Sequence, residues 1–153
     1  LEEKKDKERL LAIAKASSSL PYVCPITYVD GRPMLDGGIV DSIPVLRAIE
    51  QGYERNVVVL TRNRGYRKSE KDIRVPRFIY TRYPRLRVVL SRRCQVYNQQ
   101  LEMIERMEDE GRIIAIRPEQ RVVVNRIEKD IKKLTSLYEE GYACAEKVMG
   151  QFL

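Results

Sequence analysis

The stretch Asp30-Gly31-Arg32-Pro33-Met34-Leu35-Asp36-Gly37-Gly38-Ile39-Val40-Asp41-Ser42-Ile43-Pro44 combines a strand pattern, a carboxylate and a tight turn. Residues 32–35 have the pattern of a short strand that runs into Asp36. Two glycines follow, and because glycine adopts a positive φ at little cost, the pair predicts a sharp turn. Pro44 then suits the start of a helix, where its missing N–H does no harm. Asp36 is therefore predicted at the carboxyl end of a strand, where α/β proteins gather ligands and chemistry.

The residues before this stretch predict a helix followed by a hairpin. Good helix formers dominate residues 3–17, and the serines and the proline of residues 17–21 end that pattern. Two strand patterns, residues 26–29 and 32–35, flank Asp30-Gly31, the dipeptide typical of a two-residue hairpin turn. Asp30 is accordingly predicted to be a turn residue. Pro33 limits the second arm to an edge position, because proline has no N–H to donate.

The residues after this stretch alternate between helix and strand patterns. Residues 44–51 predict a short helix, with Gly52 as its C-terminal cap. Residues 57–60 and 113–116 are continuous apolar runs, typical of strands that are buried on both faces of a parallel sheet. The strand pattern of residues 32–35, the helix pattern of residues 44–51 and the strand pattern of residues 57–60 follow one another, which indicates a βαβ unit. The expected fold class is α/β: a layered fold with a mainly parallel sheet flanked by helices.

The second half of the chain is predicted to be mostly helical. Residues 76–82, 84–92 and 93–110 predict three helices. The third has an apolar stripe at helical spacing, which favours a place in the core over a groove for a partner. Its members are Tyr97, Leu101, Ile104 and Met107.

Two further helices are predicted at the C-terminal end. Asn125 followed by Glu128 indicates a helix cap, Gly141 is expected to break this helix, and a last helix is expected to end near Phe152. Four apolar residues of the first of these helices are predicted to face inward: Ile127, Ile131, Leu134 and Tyr138.

The composition excludes several kinds of site. The chain has no histidine, so no Ser-His-Asp or Cys-His arrangement can be completed from it. Cys24, Cys94 and Cys144 lie far apart without a Cys-x-x-Cys motif, which predicts reduced, mostly buried thiols and no zinc site. No metal and no organic cofactor is expected. No apolar run approaches the roughly 18 residues of a transmembrane helix, and the expected location is the cytoplasm.

The net charge of +7 is unevenly distributed. Residues 61–93 contain twelve Lys and Arg but two acids, so this basic stretch carries +10 and the rest of the chain −3. Aromatic residues are interleaved with its cations. The residues from Arg62 to Arg93 have three interpretations: a solvated face or arginines paired with acids of other segments, peripheral binding to an anionic membrane surface, and nucleic-acid binding, the least favoured.

Residues 35–44 also resemble the second signature of the patatin-like phospholipases, which are serine lipid acyl hydrolases. That signature is Asp-Gly-Gly or Asp-Gly-Ala, an apolar residue, Val-Asp-Asn or Val-Asp-Ser, and an apolar-Pro step. Upstream, Ala16-Ser17-Ser18-Ser19-Leu20-Pro21 is similar to the segment ending in Leu-Pro that precedes it in the family. Similarities to a bacterial branch follow at Tyr97-Asn98, Glu110-Gly111 and Ile116-Arg117-Pro118.

The resemblance implies a lipid acyl ester as substrate and a Ser–Asp dyad in which Asp36 is the base. Gly37 and Gly38 would bind the substrate by leaving room for its acyl group. Spacing alone favours a simpler role for Asp36, hydrogen bonding to turn amides, and the surrounding resemblance favours catalysis. Asp41 is a weaker candidate for the base. With Ser42 it is better explained as a cap for the helix at Pro44.

The chain departs from the family pattern because it contains no Gly-x-Ser-x-Gly elbow and no glycine-rich oxyanion loop. Ser17, Ser18 and Ser19 lack such an elbow and are interpreted as polar groups at a helix terminus. Because the chain also begins at Leu1, we interpret residues 1–153 as the C-terminal part of a patatin-like domain. Residues 16–60 would carry the Asp-Gly-Gly segment, and residues 61–153 a helical extension with one further strand.

Two expectations follow from this interpretation. The chain alone should be inactive, and an exposed sheet edge should favour self-association. The alternative function is a non-catalytic basic binding module for anionic membrane or nucleic acid, in which Asp-Gly-Gly is only a turn.

Overall fold

The computed structural model describes residues 7–69, 75–76, 78–124 and 128–150 as a mixed α/β structure. The chain divides into two compact units, residues 1–43 with 70–97 and residues 44–69 with 98–153. The helices and strands, in chain order, are α1 (Lys7–Ser17), β1 (Thr27–Val29), β2 (Arg32–Met34), α2 (Val45–Glu50), β3 (Asn56–Val59), α3 (Pro84–Asp109), β4 (Ile113–Ile116) and α4 (Ile131–Met149).

The first unit contains the predicted hairpin. Strands β1 and β2 pair antiparallel, with Val29 opposite Arg32. Asp30 and Gly31 have φ values of 49° and 73°, as a tight two-residue turn requires, so both the hairpin and the turn role of Asp30 are confirmed. Helix α1 packs against β1 and buries Ala16. The predicted helix over residues 3–17 is confirmed from Lys7 onward, and residues 3–6 lie outside the described part of the chain.

The second unit contains the one parallel strand pair found among the described residues. Strand β3 pairs with β4 in register, Asn56 opposite Ile113 and Val59 opposite Ile116. The chain reaches β3 through α2, and Gly52, with φ at 88°, follows that helix as predicted.

The predicted βαβ unit is wrong, because β2 and β3 belong to different two-stranded sheets. What the structure shows is mixed α/β with one parallel pair. The prediction that β3 is buried on both faces is also wrong. Val58 is buried, while Val57 and Val59 on the other face are exposed. A continuous apolar run could not reveal this, since it carries no alternation to separate the two faces.

Helix α3 is longer than predicted. It runs unbroken from Pro84 to Asp109, whereas the sequence suggested separate helices over 84–92 and 93–110. No glycine or proline interrupts it after Pro84, so nothing in the chain ends it earlier. Its predicted stripe is confirmed by the burial of Leu101, Ile104 and Met107, and the fourth member, Tyr97, is half-buried. Of the helix predicted over 76–82, residues 78–82 form turns and Arg77 lies outside the described residues.

Helix α4 differs most from expectation. It begins at Ile131, capped by the side chain of Asp130, and continues through Gly141 to Met149. Interior glycine costs about 1 kcal/mol relative to alanine, which is too little to end a helix that is otherwise favourable. The predicted cap at Asn125 and the predicted end near Phe152 lie outside the described residues.

The predicted inward face of α4 is wrong. Ile131, Leu134 and Tyr138 are exposed, Ile127 lies outside the described residues, and Cys144 is the buried residue of the helix instead. The other two cysteines are half-buried, so the expectation of mostly buried thiols holds for Cys144 alone, and all three are free. None of the described helices combines the length and the apolarity that crossing a membrane requires.

Candidate functional site

Asp36 lies two residues beyond the end of β2, in the first unit. The strand that precedes it belongs to an antiparallel hairpin and not, as predicted, to the carboxyl edge of a parallel sheet. The Asp36 N–H donates to the carbonyl oxygen of Ser19 at 2.9 Å. A single 3₁₀ turn, Gly37–Ile39, follows at once, and Asp36 is its N-terminal cap. The position of this carboxylate is therefore fixed by backbone contacts on both sides of it.

The Asp36 carboxylate is half-buried and held by one hydrogen bond. Its Oδ1 accepts from the Gly38 N–H at 2.7 Å. Within the described part of the chain no other hydrogen bond to this carboxylate is formed, so Oδ2 is left without a partner there. The turn role that spacing favoured and the catalytic role that the resemblance implied are therefore compatible, since they use different oxygens.

Gly37 and Gly38 have a different backbone conformation from the one predicted. Neither has the positive φ that we expected, because the chain continues here as a right-handed 3₁₀ turn. Gly38 is required for space: a Cβ on it would lie 2.9 Å from Oδ1 of Asp36. A Cβ on Gly37 would meet nothing within 4 Å. Gly38 thus admits the carboxylate, and Gly37 leaves open space beside it.

The carbonyl oxygen of Gly38 is bound from two directions. It accepts from the Ser42 hydroxyl at 2.7 Å and from Nε of Arg93 at 3.2 Å. Ser42 consequently does not cap α2, and the predicted cap by Asp41 and Ser42 is wrong: α2 begins after Pro44 without a side-chain cap. The Asp41 N–H donates to Gly37 at 3.0 Å and continues the turn.

Ser19 forms hydrogen bonds with α1, with β1 and with Asp36 in the first unit. Its side chain, in a residue only 2% exposed, donates to the Lys15 carbonyl at 2.8 Å and lies 2.9 Å from the Thr27 hydroxyl. Its own carbonyl holds Asp36. The role of helix-terminus polar group is confirmed for Ser19 and for Ser18, whose hydroxyl donates to Ala14 at 2.8 Å.

Sequence reasoning missed the positioning roles of Ser19 and Arg93. Nothing local distinguishes Ser19 from the two serines before it. Arg93 is 55 positions from Gly38, beyond the range of any local pattern.

Two arginines of the basic stretch in the second unit, Arg64 and Arg67, are paired with acids of α3. Arg64 binds both carboxylate oxygens of Asp109 at 2.7 Å. Arg67 binds Glu105 at 2.8 and 3.1 Å. Arg117, which follows β4, contacts Glu108 and lies 3.9 Å from Glu105. Of the three interpretations of the basic stretch, pairing with acids of other segments therefore describes Arg64 and Arg67.

The loop that carries Arg64 and Arg67 is also held by neutral hydrogen bonds and by the carboxylate of Glu105. Buried Asn98 accepts from the Lys68 N–H at 2.8 Å and donates to the Lys68 carbonyl at 3.0 Å. Glu105 also accepts from the Gly65 N–H at 2.9 Å. Its hydrogen bonds with Arg67, followed by that with Gly65, lower the pKa of Glu105 to about 2. The charged side chains of this region form what we call the ion-pair cluster: Arg64, Arg67, Arg117, Glu105, Glu108 and Asp109.

Aromatic residues of the basic stretch also make internal contacts. The Arg62 guanidinium lies 5.0 Å above the Tyr66 ring. The Tyr80 hydroxyl accepts from the Tyr22 N–H at 2.9 Å, and the two rings are 5.8 Å apart. In the described ranges no group of histidine, cysteine and carboxylate side chains has the arrangement of a metal site.

Comparison with known families divides the chain into two matching segments. Residues 1–49 match the family of patatin-like phospholipases, and this segment contains Asp36, Gly37 and Gly38. Residues 83–153 match a family described as a domain of unknown function (DUF6363). No curated protein matches the chain. The resemblance noted in the sequence is thus supported for the first 49 residues, and each match covers less than half of the chain.

Proposed function

We propose that Asp36 is the base of a Ser–Asp dyad in a patatin-like lipid acyl hydrolase, and that the nucleophilic serine lies in sequence outside these 153 residues. One observation carries the proposal. Within the segment similar to patatin-like phospholipases, the carboxylate of Asp36 is held by a single backbone hydrogen bond on Oδ1, while Oδ2 accepts none from the described residues.

The proposed chemistry needs a carboxylate that can accept a proton and return it. As the serine oxygen attacks the ester carbonyl, its proton passes to Asp36. The proton then passes to the departing alcohol oxygen, which leaves an acyl-enzyme for water to hydrolyse with Asp36 again as the base. Both transfers need a carboxylate oxygen within about 2.6–3.2 Å of the serine hydroxyl. The free Oδ2 is the oxygen that we assign to this task.

The surroundings of Asp36 support this role by restricting its movement. The Gly38 N–H fixes Oδ1, and the Gly38 carbonyl is itself fixed by Ser42 and Arg93. A base that is held in place before the substrate binds needs little rearrangement during the reaction. The open space at Gly37 is where we place part of the acyl group.

The substrate class rests on the family similarity and not on a described pocket. Patatin-like phospholipases act on lipids, and we propose the same class of substrate, an acyl ester of a lipid. The chain by itself carries no nucleophile in this proposal, so it provides the inactive reference for every assay.

The test is Asp36→Asn in the complete protein that includes the nucleophile. The amide keeps the shape of the side chain and can still accept from the Gly38 N–H, but it cannot take the serine proton. Hydrolysis of a p-nitrophenyl ester should fall by at least the roughly 10²–10⁴-fold that general-base catalysis supplies. The melting temperature should change little.

The matched control is Asp30→Asn, which removes a carboxylate from the turn of the hairpin that precedes Asp36. Asparagine tolerates the positive φ of Asp30, so this variant should stay folded and active. An Asp36→Asn protein with full activity would refute the dyad. An Asp36→Asn protein that unfolds would assign the carboxylate a structural role in the turn.

A further inference from the structure

Helix α4 has an exposed apolar stripe that the described chain leaves uncovered. Its members are Ile131, Leu134, Tyr138, Tyr142 and Met149, spaced by three, four, four and seven positions. At about 100° per residue they lie within about 80° around the helix axis. Ile131 is 76% exposed, Tyr138 71% and Tyr142 57%. A contiguous apolar surface of this kind on a folded protein indicates an interaction site.

The stripe adjoins the face with which α4 joins its own unit. Helix α4 packs against β4, and Cys144 is its buried residue. At about 100° per residue, Cys144 lies roughly 120° from the middle of the stripe. Half-buried Leu137 and Val148 lie between Leu134 and Cys144 around the helix axis, so α4 has one broad apolar face, of which the second unit covers the Cys144 side.

We propose that a second copy of this chain covers the stripe, with the two α4 helices packed antiparallel around a twofold axis. Four of the five stripe residues are placed symmetrically about residue 140: Ile131 and Met149 lie nine positions from it, and Tyr138 and Tyr142 two, while Leu134 has Glu146 as its counterpart. A twofold axis there places Ile131 against Met149 of the second copy and Tyr138 against its Tyr142. Interfaces with this symmetry require such self-complementary surfaces.

The charges that flank the stripe favour the same arrangement. Lys132 lies near the start of α4 and Glu146 near its end, on the same side of the stripe. In the antiparallel pair each Lys132 lies beside Glu146 of the other copy, so the contact occurs twice, and the two helix dipoles are opposed. Glu139, on that side too, approaches its own copy near the axis. The contact between Lys132 and Glu146 is attractive and the contact between the two Glu139 side chains is repulsive, so charge substitutions test the arrangement.

The expected affinity follows from the size of the surface. Helix α4 has 19 residues and is therefore about 28 Å long. One helix pair of this length buries less than the roughly 800 Å² per partner of a standard interface. We therefore expect a reversible dimer with a dissociation constant in the micromolar range.

The first experiment is sedimentation equilibrium of the complete protein over a range of concentrations. Replacing Tyr142 by Arg should raise the dissociation constant at least about 30-fold, as expected for a tyrosine near the centre of an interface. The matched control is Tyr53→Arg, at an exposed tyrosine after α2 and off the stripe, which should leave the constant unchanged. Both variants should keep the wild-type melting temperature, because both side chains are exposed.

A charge exchange tests the antiparallel arrangement itself. Lys132→Glu should weaken the dimer about three- to tenfold, because it places two acids side by side twice. Adding Glu146→Lys should restore the affinity. Glu139→Gln should tighten the dimer a few-fold. If Lys132→Glu has no effect, or if the double exchange does not restore the affinity, the antiparallel pairing is refuted.

Other occupants of the stripe would give different results. A protein that stays monomeric at high micromolar concentration refutes the second copy. If such a monomer binds phosphatidylcholine–phosphatidylglycerol vesicles and Tyr142→Arg abolishes the binding, the occupant is a lipid surface. If Tyr142→Arg instead lowers the melting temperature of the monomer, the stripe is covered by the protein's own remaining sequence. Because these measurements require no esterase activity, the proposal does not depend on the proposed function.

Discussion

Asp36 in the first unit and Glu105 in the second are both shielded carboxylates, but the partners around them differ in number and in charge. From the described residues Asp36 accepts one hydrogen bond, from a backbone N–H. Glu105 accepts two from Arg67 and one from Gly65, and Arg117 lies 3.9 Å away. Cations that bind both oxygens stabilise the ionised carboxylate, so it accepts a proton only at low pH. Glu105 therefore holds the loop around Gly65 and Arg67 on α3, whereas Oδ2 of Asp36 accepts no hydrogen bond from the described residues.

The largest effect that would sharpen this contrast is expected at Gly38. In Gly38→Ala the new Cβ would lie 2.9 Å from Oδ1 of Asp36, so the carboxylate must move. A displacement of about 1 Å costs on the order of 100-fold in rate, and kcat should fall by about that factor. Stability should change little, since the φ of Gly38 is one that alanine adopts.

Gly37→Ala is the matched variant, because its Cβ meets nothing within 4 Å. Because Gly37 lies beside the proposed acyl site, this variant should raise KM and leave kcat nearly unchanged. If Gly37→Ala and Gly38→Ala lower kcat equally in steady-state assays, the close approach of Gly38 to Asp36 does not contribute to catalysis.

The next effect should appear at Glu105, and in stability alone. Glu105→Gln removes the charge that Arg67 and Arg117 contact, and should lower the free energy of unfolding at pH 7 by about 2 kcal/mol. Because folding lowers the pKa of Glu105 from 4.5 to about 2, its contribution is complete above about pH 4.5 and is lost as the pH falls toward 2. Urea titrations between pH 7 and pH 2 should therefore show wild type and variant converging in acid.

Glu110→Gln is the control for this measurement. Glu110 pairs with Arg112 at the exposed surface, and its loss should change stability by less than about 0.5 kcal/mol. If Glu105→Gln proves equally harmless, the ion-pair cluster does not stabilise the protein and the contrast with Asp36 disappears.

The smallest effect is expected at Ser19, which holds the Asp36 turn through neutral groups. Ser19→Ala removes the hydrogen bonds to Lys15 and Thr27 and should lower the free energy of unfolding by about 1–2 kcal/mol. Activity per folded molecule should persist, because Asp36 binds the backbone carbonyl of Ser19 and not its hydroxyl. The loss should be independent of salt, in contrast to that of Glu105→Gln.

Ser18→Ala, at the exposed neighbour, should cost less than about 0.5 kcal/mol. A salt-dependent loss in Ser19→Ala, measured by urea unfolding at low and high ionic strength, would contradict the neutral character of the contacts around Asp36.

Local chemistry decided what the sequence predicted correctly. The Asp30-Gly31 turn, the buried stripe of α3 and the glycine after α2 each depend on neighbours within a few positions, where steric and periodic constraints act directly. The Asp-Gly-Gly segment belongs to the same class, because its resemblance extends over adjacent residues. For the same reason the position of Asp36 after a strand could be predicted without any tertiary information.

Contacts between distant residues decided the rest. The sequence could not say that β3 pairs with β4 and β2 with β1, because strand pairing joins residues that are far apart in the chain. Nor could it show that Arg93 binds Gly38, or that Arg64 and Arg67 meet the acids of α3. Helix α4 has one broad apolar face, and only the packing of its unit selects the Cys144 side for burial and leaves the apolar stripe exposed. Hydrophobic periodicity fixes which residues share a face, whereas burial depends on what the rest of the chain brings against that face.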